Sequence, residues 1–107
     1  PRRGRAEVGE VASAEMAYDQ RTLIARRQGR DTALTRLQGA LLDALLREAP
    51  RIVPHARLIE SAWGADGADM AALQTQVYEL RALVDRPFAQ PLLQSVRGVG
   101  YRIVAPA

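Results

Sequence analysis

The run Gln94-Ser95-Val96-Arg97-Gly98-Val99-Gly100-Tyr101-Arg102-Ile103 constrains the fold more than any other part of this sequence. Two short apolar-rich stretches, Leu92 to Val96 and Tyr101 to Val104, flank a turn that holds Arg97, Gly98 and Gly100. Glycine tolerates positive φ, so the chain can reverse tightly there, and β-branched and aromatic neighbours favour strands on either side. The expectation is a β-hairpin with an arginine at its tip. A guanidinium on a rigid ribbon suits a phosphate or a base edge, because it is planar and always charged. A surface hairpin with a merely solvated arginine fits the same residues, and the rest of the chain has to separate the two readings.

The 107 residues, 48% of them apolar, suit one domain with a modest core. No apolar run approaches the roughly 18 residues of a membrane span. The absence of cysteine excludes disulfides, thiol nucleophiles and most structural zinc sites, and it suits a reducing cytoplasm. The chain begins at Pro1 rather than Met and has no signal-like segment, so it is expected to be a piece of something longer. The 15 basic residues are all arginine and stand against 12 acidic ones. The resulting net charge of +3 permits an anionic partner without demanding one. His55 is the only histidine, no Ser/His/Asp set or metal-ligand spacing is present, and Gly98-x-Gly100 sits in a hairpin with no helix following. The expectation is therefore a non-enzyme with no cofactor and no metal.

Along the chain, residues 1–13 lack periodicity and large apolar bulk, and read as a linker or disordered arm carrying Arg2, Arg3 and Arg5. The domain proper is expected over 14–107. Short alternating pieces follow at Glu15 to Asp19, Thr22 to Arg26 and Thr32 to Leu34, with turns at Asp19-Gln20 and Gln28-Gly29-Arg30. These predict a small antiparallel sheet that needs a helical layer to cover it. Thr35 and Gln38 form a capping-box pattern that opens a first helix lined by Leu37, Leu41, Ala44 and Leu45 and stopped by Pro50. A second, short helix follows Pro54, buries Leu58, Ile59, Ala62 and Trp63, and stops at Gly64.

Asp69 can cap a third helix over 69–84. Leu73, Val77, Leu80 and Val84 fall within one narrow arc at about 100° per residue, which commits that face to the core. The other side carries Ala71, Gln74, Thr75, Tyr78 and Ala82, with Glu79 and Arg81 on its flanks. Small and hydrogen-bonding groups of this kind suit a helix entering a groove; they also suit a plain solvated face.

The predicted order of sheet, three helices and hairpin is a helix-turn-helix followed by a β-wing. Within it, Leu34-Thr35-x-x-Gln38-x-x-Leu41-Leu42, Val53-x-x-x-x-Leu58-Ile59-x-x-x-Trp63-Gly64, Leu80-Arg81 and Val96-Arg97-Gly98-Val99-Gly100-Tyr101-Arg102 resemble the effector domain of OmpR/PhoB-type bacterial response regulators over about residues 15 to 105. The resemblance implies an α+β winged helix-turn-helix with an N-terminal four-stranded antiparallel sheet, three helices and a C-terminal β-hairpin wing. It implies sequence-specific binding of double-stranded DNA in transcription regulation, with helix 69–84 in the major groove and the 92–104 wing in the minor groove. Arg97 and Ser95 then occupy the wing positions that contact DNA, and Trp63 the position near the backbone. Arg81 occupies a phosphate position, and Gln74, Thr75, Tyr78 and Glu79 occupy the base- or backbone-facing positions. The same resemblance implies an upstream phosphorylated receiver domain, a dimer on tandem DNA repeats in the full-length protein, and RNA polymerase as a further partner.

The chain also departs from that pattern. Family members usually begin the third helix with arginine, continue Val-Asp-Val-His-Ile and place basic residues before the Leu-Arg pair. Here Ala71, Leu73-Gln74-Thr75-Gln76-Val77, Tyr78 and Glu79 stand instead, so two or three phosphate-pairing charges are missing and Glu79 would repel a phosphate. Glu79 can accept from a cytosine amino group, and Gln74 and Gln76 suit adenine edges. Two functions stay open on the residues alone: a DNA-binding regulator domain, or a protein-interaction module on a winged-helix frame with weak or lost DNA binding.

Overall fold

In the computed structural model, which describes residues 9–105, a four-stranded antiparallel sheet comes first. Strands β1 (Glu10–Ser13), β2 (Met16–Asp19), β3 (Ile24–Arg27) and β4 (Arg30–Ala33) lie side by side in chain order. Helix α1 (Arg36–Glu48) follows, then a two-residue strand β5 (Val53–Pro54), helix α2 (His55–Trp63), a 3₁₀ turn over Gly64–Asp66 and helix α3 (Met70–Val84). Strands β6 (Leu93–Val96) and β7 (Gly100–Ile103) close the chain as a hairpin, with β7 in the centre of a second sheet ordered β5-β7-β6. This is the expected winged helix.

The sheet departs from the sequence expectation in detail. Its first strand begins at Glu10, inside the stretch expected to be an arm, and pairs with β2 from Glu10↔Asp19 to Ser13↔Met16. An edge strand of small and polar residues gains its order from backbone pairing, which leaves no alternation to read. Arg2, Arg3 and Arg5 lie outside the described residues. Thr22 and Leu23, expected in a strand, belong to a turn instead. The Asp19 carboxylate accepts from the Arg21 backbone N–H at 2.9 Å, and the Asp19 carbonyl accepts from Leu23 N–H at 2.8 Å. An aspartate that bonds the backbone two residues on makes its own turn.

The helical layer is built as the residues dictate. Thr35 Oγ accepts from Gln38 N–H at 3.2 Å while Gln38 Oε1 accepts from Thr35 N–H at 3.0 Å, so both halves of the capping box are present. Leu41, Leu42, Leu45 and Leu46 of α1 are buried against Met16, Tyr18 and Ala25 of the sheet and Leu73, Val77, Leu80 and Val84 of α3. α2 is only nine residues long, too short to persist alone. Its fully buried Leu58 and the partly buried Ile59, Ala62 and Trp63 tie it to this core.

Two glycines are required by close approach. A Cβ on Gly39 would sit 1.9 Å from the Tyr18 hydroxyl, so α1 meets the sheet only because Gly39 lacks a side chain. A Cβ on Gly100 would sit 2.0 Å from the Val53 carbonyl oxygen across the β5–β7 pair. Gly100, expected in the turn for its φ freedom, is constrained instead by this approach of two backbones. Gly98, with φ +77°, supplies the left-handed turn residue.

Candidate nucleic-acid interface

α3 starts at a cap in which Asp69 Oδ1 accepts from Ala72 N–H at 2.8 Å. Its inward residues Leu73, Val77, Leu80 and Val84 are almost wholly buried. Its outward residues Ala71, Gln74, Thr75, Tyr78, Glu79 and Ala82 are all exposed. Four residues singled out from the sequence, Gln74, Thr75, Tyr78 and Glu79, therefore share one solvent-facing surface. Tyr78 is the most exposed large side chain of the described core and surface hydrophobics at 62%. The Arg86 guanidinium carbon lies 4.4 Å from the centroid of its ring, within cation–π range.

The hairpin is locked to the helices at both of its ends. His55 N–H, the first residue of α2, donates to Val99 O at 3.1 Å, and the His55 ring meets the Tyr101 ring edge-to-face at 5.6 Å. At the other side, Arg81 of α3 reaches β6. Its Nη2 donates to Leu93 O at 3.1 Å and to Ser95 Oγ at 2.8 Å, and its Nε is 3.3 Å from the same carbonyl. Arg81 and Ser95, each expected to touch DNA independently, thus touch one another, and Arg81 links the helix to the wing. Arg97 stands exposed in the turn between β6 and β7, beside exposed Val99. Trp63 ends α2 half-buried against the core.

Behind this surface lies a buried clamp. Arg27 of β3 is 2% exposed, and its Nη1 donates to Val84 O at 2.7 Å and to Asp85 Oδ1 at 2.9 Å. Its Nη2 donates to Gln90 O, its Nε to Glu15 Oε2 at 2.8 Å, and its guanidinium carbon lies 4.4 Å from the Phe88 ring centroid. The Asp85 carboxylate also accepts from Leu92 N–H at 3.0 Å and Leu93 N–H at 2.9 Å. One ion pair therefore joins the first sheet, the C-terminal end of α3 and the start of the wing strand. The hydrogen bonds from Arg27 and then Gln28 hold the Glu15 carboxyl below its ordinary value. Among the described residues no group of three or more His, Cys, Asp or Glu could hold a metal ion, and no helix is long and apolar enough to cross a membrane.

Residues 29–103 match the family model described as "Transcriptional regulatory protein, C terminal". The chain belongs to this family. It is 30% identical over 108 residues to the transcriptional regulatory protein CusR of Escherichia coli K12, covering 98% of the chain and 48% of CusR. The chain thus spans about half the length of the curated relatives it matches. Among solved structures it superimposes on the DNA-binding domain of E. coli CadC with a TM-score of 0.78 at 20% identity, covering 94% of this chain and 96% of that one. It superimposes on the DNA-binding domain of the response regulator AdeR, solved in complex with an intercistronic region, with a TM-score of 0.74 at 21% identity, covering 89% and 98%. Both likenesses bear on the fold.

Within this family frame, three residues at the surface's support went unread in the sequence. Arg27 carried a signal, because inward Ala25 alternates with it along β3. Asp85 and Arg86 carried none, since their partners are set by the path of the chain after α3.

Proposed function

We propose that this domain binds double-stranded DNA as the effector part of a transcriptional regulator, with α3 in the major groove and the β6–β7 wing in the adjacent minor groove. The observation that carries the reading is the rigid unit made by α3 and the wing. α3 has one face in the core and one exposed face that carries Gln74, Thr75, Tyr78 and Glu79 between small alanines, and Arg81 fixes the hairpin beside it. An α-helix held this way fits the roughly 12 Å width of a major groove. Gln74, Thr75 and Glu79 supply hydrogen-bonding groups for base edges, Arg97 a charge for the minor groove, and Trp63 a ring near the backbone. Membership in a family of transcriptional regulators and the fold shared with DNA-binding domains support the same reading. It carries with it an upstream receiver domain of a two-component system, a dimer on tandem repeats, RNA polymerase as a partner and a cytoplasmic location.

The test is a salt titration of binding to a promoter fragment by the domain and by Arg97→Ala. The log–log slope should fall by about one unit if Arg97 neutralises one phosphate. An unchanged affinity and slope would remove the wing from the site.

A second reading, a protein-interaction module on the same frame, has its own observation. The exposed face of α3 carries no basic residue, and Glu79 stands on it. Selection from random-sequence DNA separates the two: an enriched motif sinks the interaction module, and failure to bind at low salt sinks the DNA-binding reading.

A further inference from the structure

We infer that Arg86, stacked on Tyr78, is a DNA-backbone contact that replaces the basic residues missing from α3. This inference rests on the DNA-binding reading and deepens it. The outward face of α3 offers Gln74, Thr75, Tyr78 and Glu79 and no cation. Its one arginine, Arg81, spends its Nε and Nη2 on Leu93 O and Ser95 Oγ. A negative polymer brought to such a face meets a carboxylate and the negative end of the helix dipole, while the one cation of the last turn, Arg81, is turned towards the wing.

Arg86 corrects this from just beyond the helix. Its backbone N–H donates to Arg81 O at 2.9 Å, alongside Asp85 N–H at 2.9 Å, so the last turn of α3 continues far enough to set its direction. Two residues past the end of α3, its guanidinium carbon lies 4.4 Å from the centre of the Tyr78 ring. None of the ion pairs among the described residues involves Arg86. Its neighbour Asp85 is turned inward, its carboxylate engaged by Arg27, Leu92 N–H and Leu93 N–H. A guanidinium stacked on an aromatic face keeps its in-plane N–H groups, which are the ones that grip a phosphate bidentately. The ring pre-orders a long flexible side chain beside Tyr78, at the C-terminal end of the outward face of α3. Tyr78 is then a positioning residue: its ring matters and its hydroxyl does not.

The experiment compares the folded domain with Arg86→Ala, Tyr78→Leu, Tyr78→Phe and the Arg86→Ala/Tyr78→Leu pair on a duplex of random sequence and on one selected from a random pool. Both side chains are exposed, so circular dichroism should report unchanged folding. Arg86→Ala should lower the log–log salt slope by about 0.9, which reduces the affinity lost between 50 and 200 mM salt by about 3.5-fold. It should weaken both duplexes by the same factor, because phosphate contacts carry no sequence information. Tyr78→Leu should reproduce part of that loss, Tyr78→Phe should restore it, and the pair should be no worse than Arg86→Ala alone. An unchanged slope in Arg86→Ala, beside a lowered one in Arg97→Ala, overturns the assignment and leaves the DNA-binding reading standing. Tyr78→Phe behaving like Tyr78→Leu overturns the stack. A wild-type domain that binds neither duplex at low salt overturns both readings together.

Discussion

Replacing Arg27 with methionine should destabilise the domain by about 3–5 kcal/mol, the usual cost of leaving one member of a buried ion pair alone. Methionine keeps the unbranched stem and removes the guanidinium. Asp85, 5% exposed, then retains only the Leu92 and Leu93 N–H groups, at 3.0 and 2.9 Å, to offset its charge. Val84 O and Gln90 O lose their donor in the same step. Glu15 adds little to the loss, since its side chain is 31% exposed and returns to water. Asp85→Asn should cost less, about 1–3 kcal/mol, because Arg27 keeps Glu15 and two carbonyls and the amide oxygen still accepts. The assay is urea unfolding followed by Trp63 fluorescence and far-UV circular dichroism. With a slope of about 2 kcal/mol per molar urea, Arg27→Met should lower the midpoint by roughly 2 M. The double variant should fall short of the summed single costs by at least about 1 kcal/mol, the signature of a shared interaction. A midpoint shift under about 0.5 M for Arg27→Met, with additive costs in the double variant, would refute the account of the clamp.

Gly100→Ala should cost about 3 kcal/mol, since the new methyl meets backbone atoms of Val53 and Pro54 that have nowhere to go. Gly98→Ala, in open space at φ +77°, should cost only left-handed strain of about 1–2 kcal/mol; thermal unfolding that ranks the two the other way would contradict the geometry. Acid should weaken the fold through Glu15 and Asp19, both held below their ordinary values, first by hydrogen bonds from Arg27 and Arg21 respectively. The unfolded chain binds these protons first, so the stability they add is complete above the ordinary carboxylate range and is lost as pH falls below it. Urea midpoints measured over a pH series should show a shallower acid limb in Glu15→Gln than in wild type, and parallel limbs would rule the assignment out.

The legible parts of the fold were those whose causes are local. The Thr35–Gln38 capping box, the Asp69 cap, the buried arc of α3 and the left-handed Gly98 each depend on residues within a single element or turn. Where the cause is distant, the sequence misled. β1 owes its order to pairing with β2 rather than to its own side chains. The strand expected to end at Arg26 runs on to Arg27, whose counter-charge Asp85 is 58 residues away. At the candidate site, the outward set on α3 was readable from helical periodicity. The mutual engagement of Arg81 and Ser95, 14 residues apart, was not, because it follows from where the loop after α3 delivers β6.

The placement of charge has a consequence for how such a domain would act. On the proposed reading, cations border the reading face at Arg86 and Arg97, while its middle presents Gln74, Thr75 and Glu79, none of them positive. Non-specific attraction to DNA is almost entirely electrostatic, so a face with few outward cations binds random sequence weakly. Specific contacts to base edges do not need those cations, since amides, hydroxyls and carboxylates discriminate by hydrogen-bond pattern. Removing charge from the recognition helix therefore lowers absolute affinity while leaving the ratio of specific to non-specific binding intact or raised. A single domain of this kind would occupy its site poorly at physiological salt. Two linked copies on adjacent half-sites recover occupancy, because the second binds at the effective concentration set by the first. A weakly charged α3 thus makes assembly on tandem sites the step that decides occupancy, and places control with whatever brings two copies together.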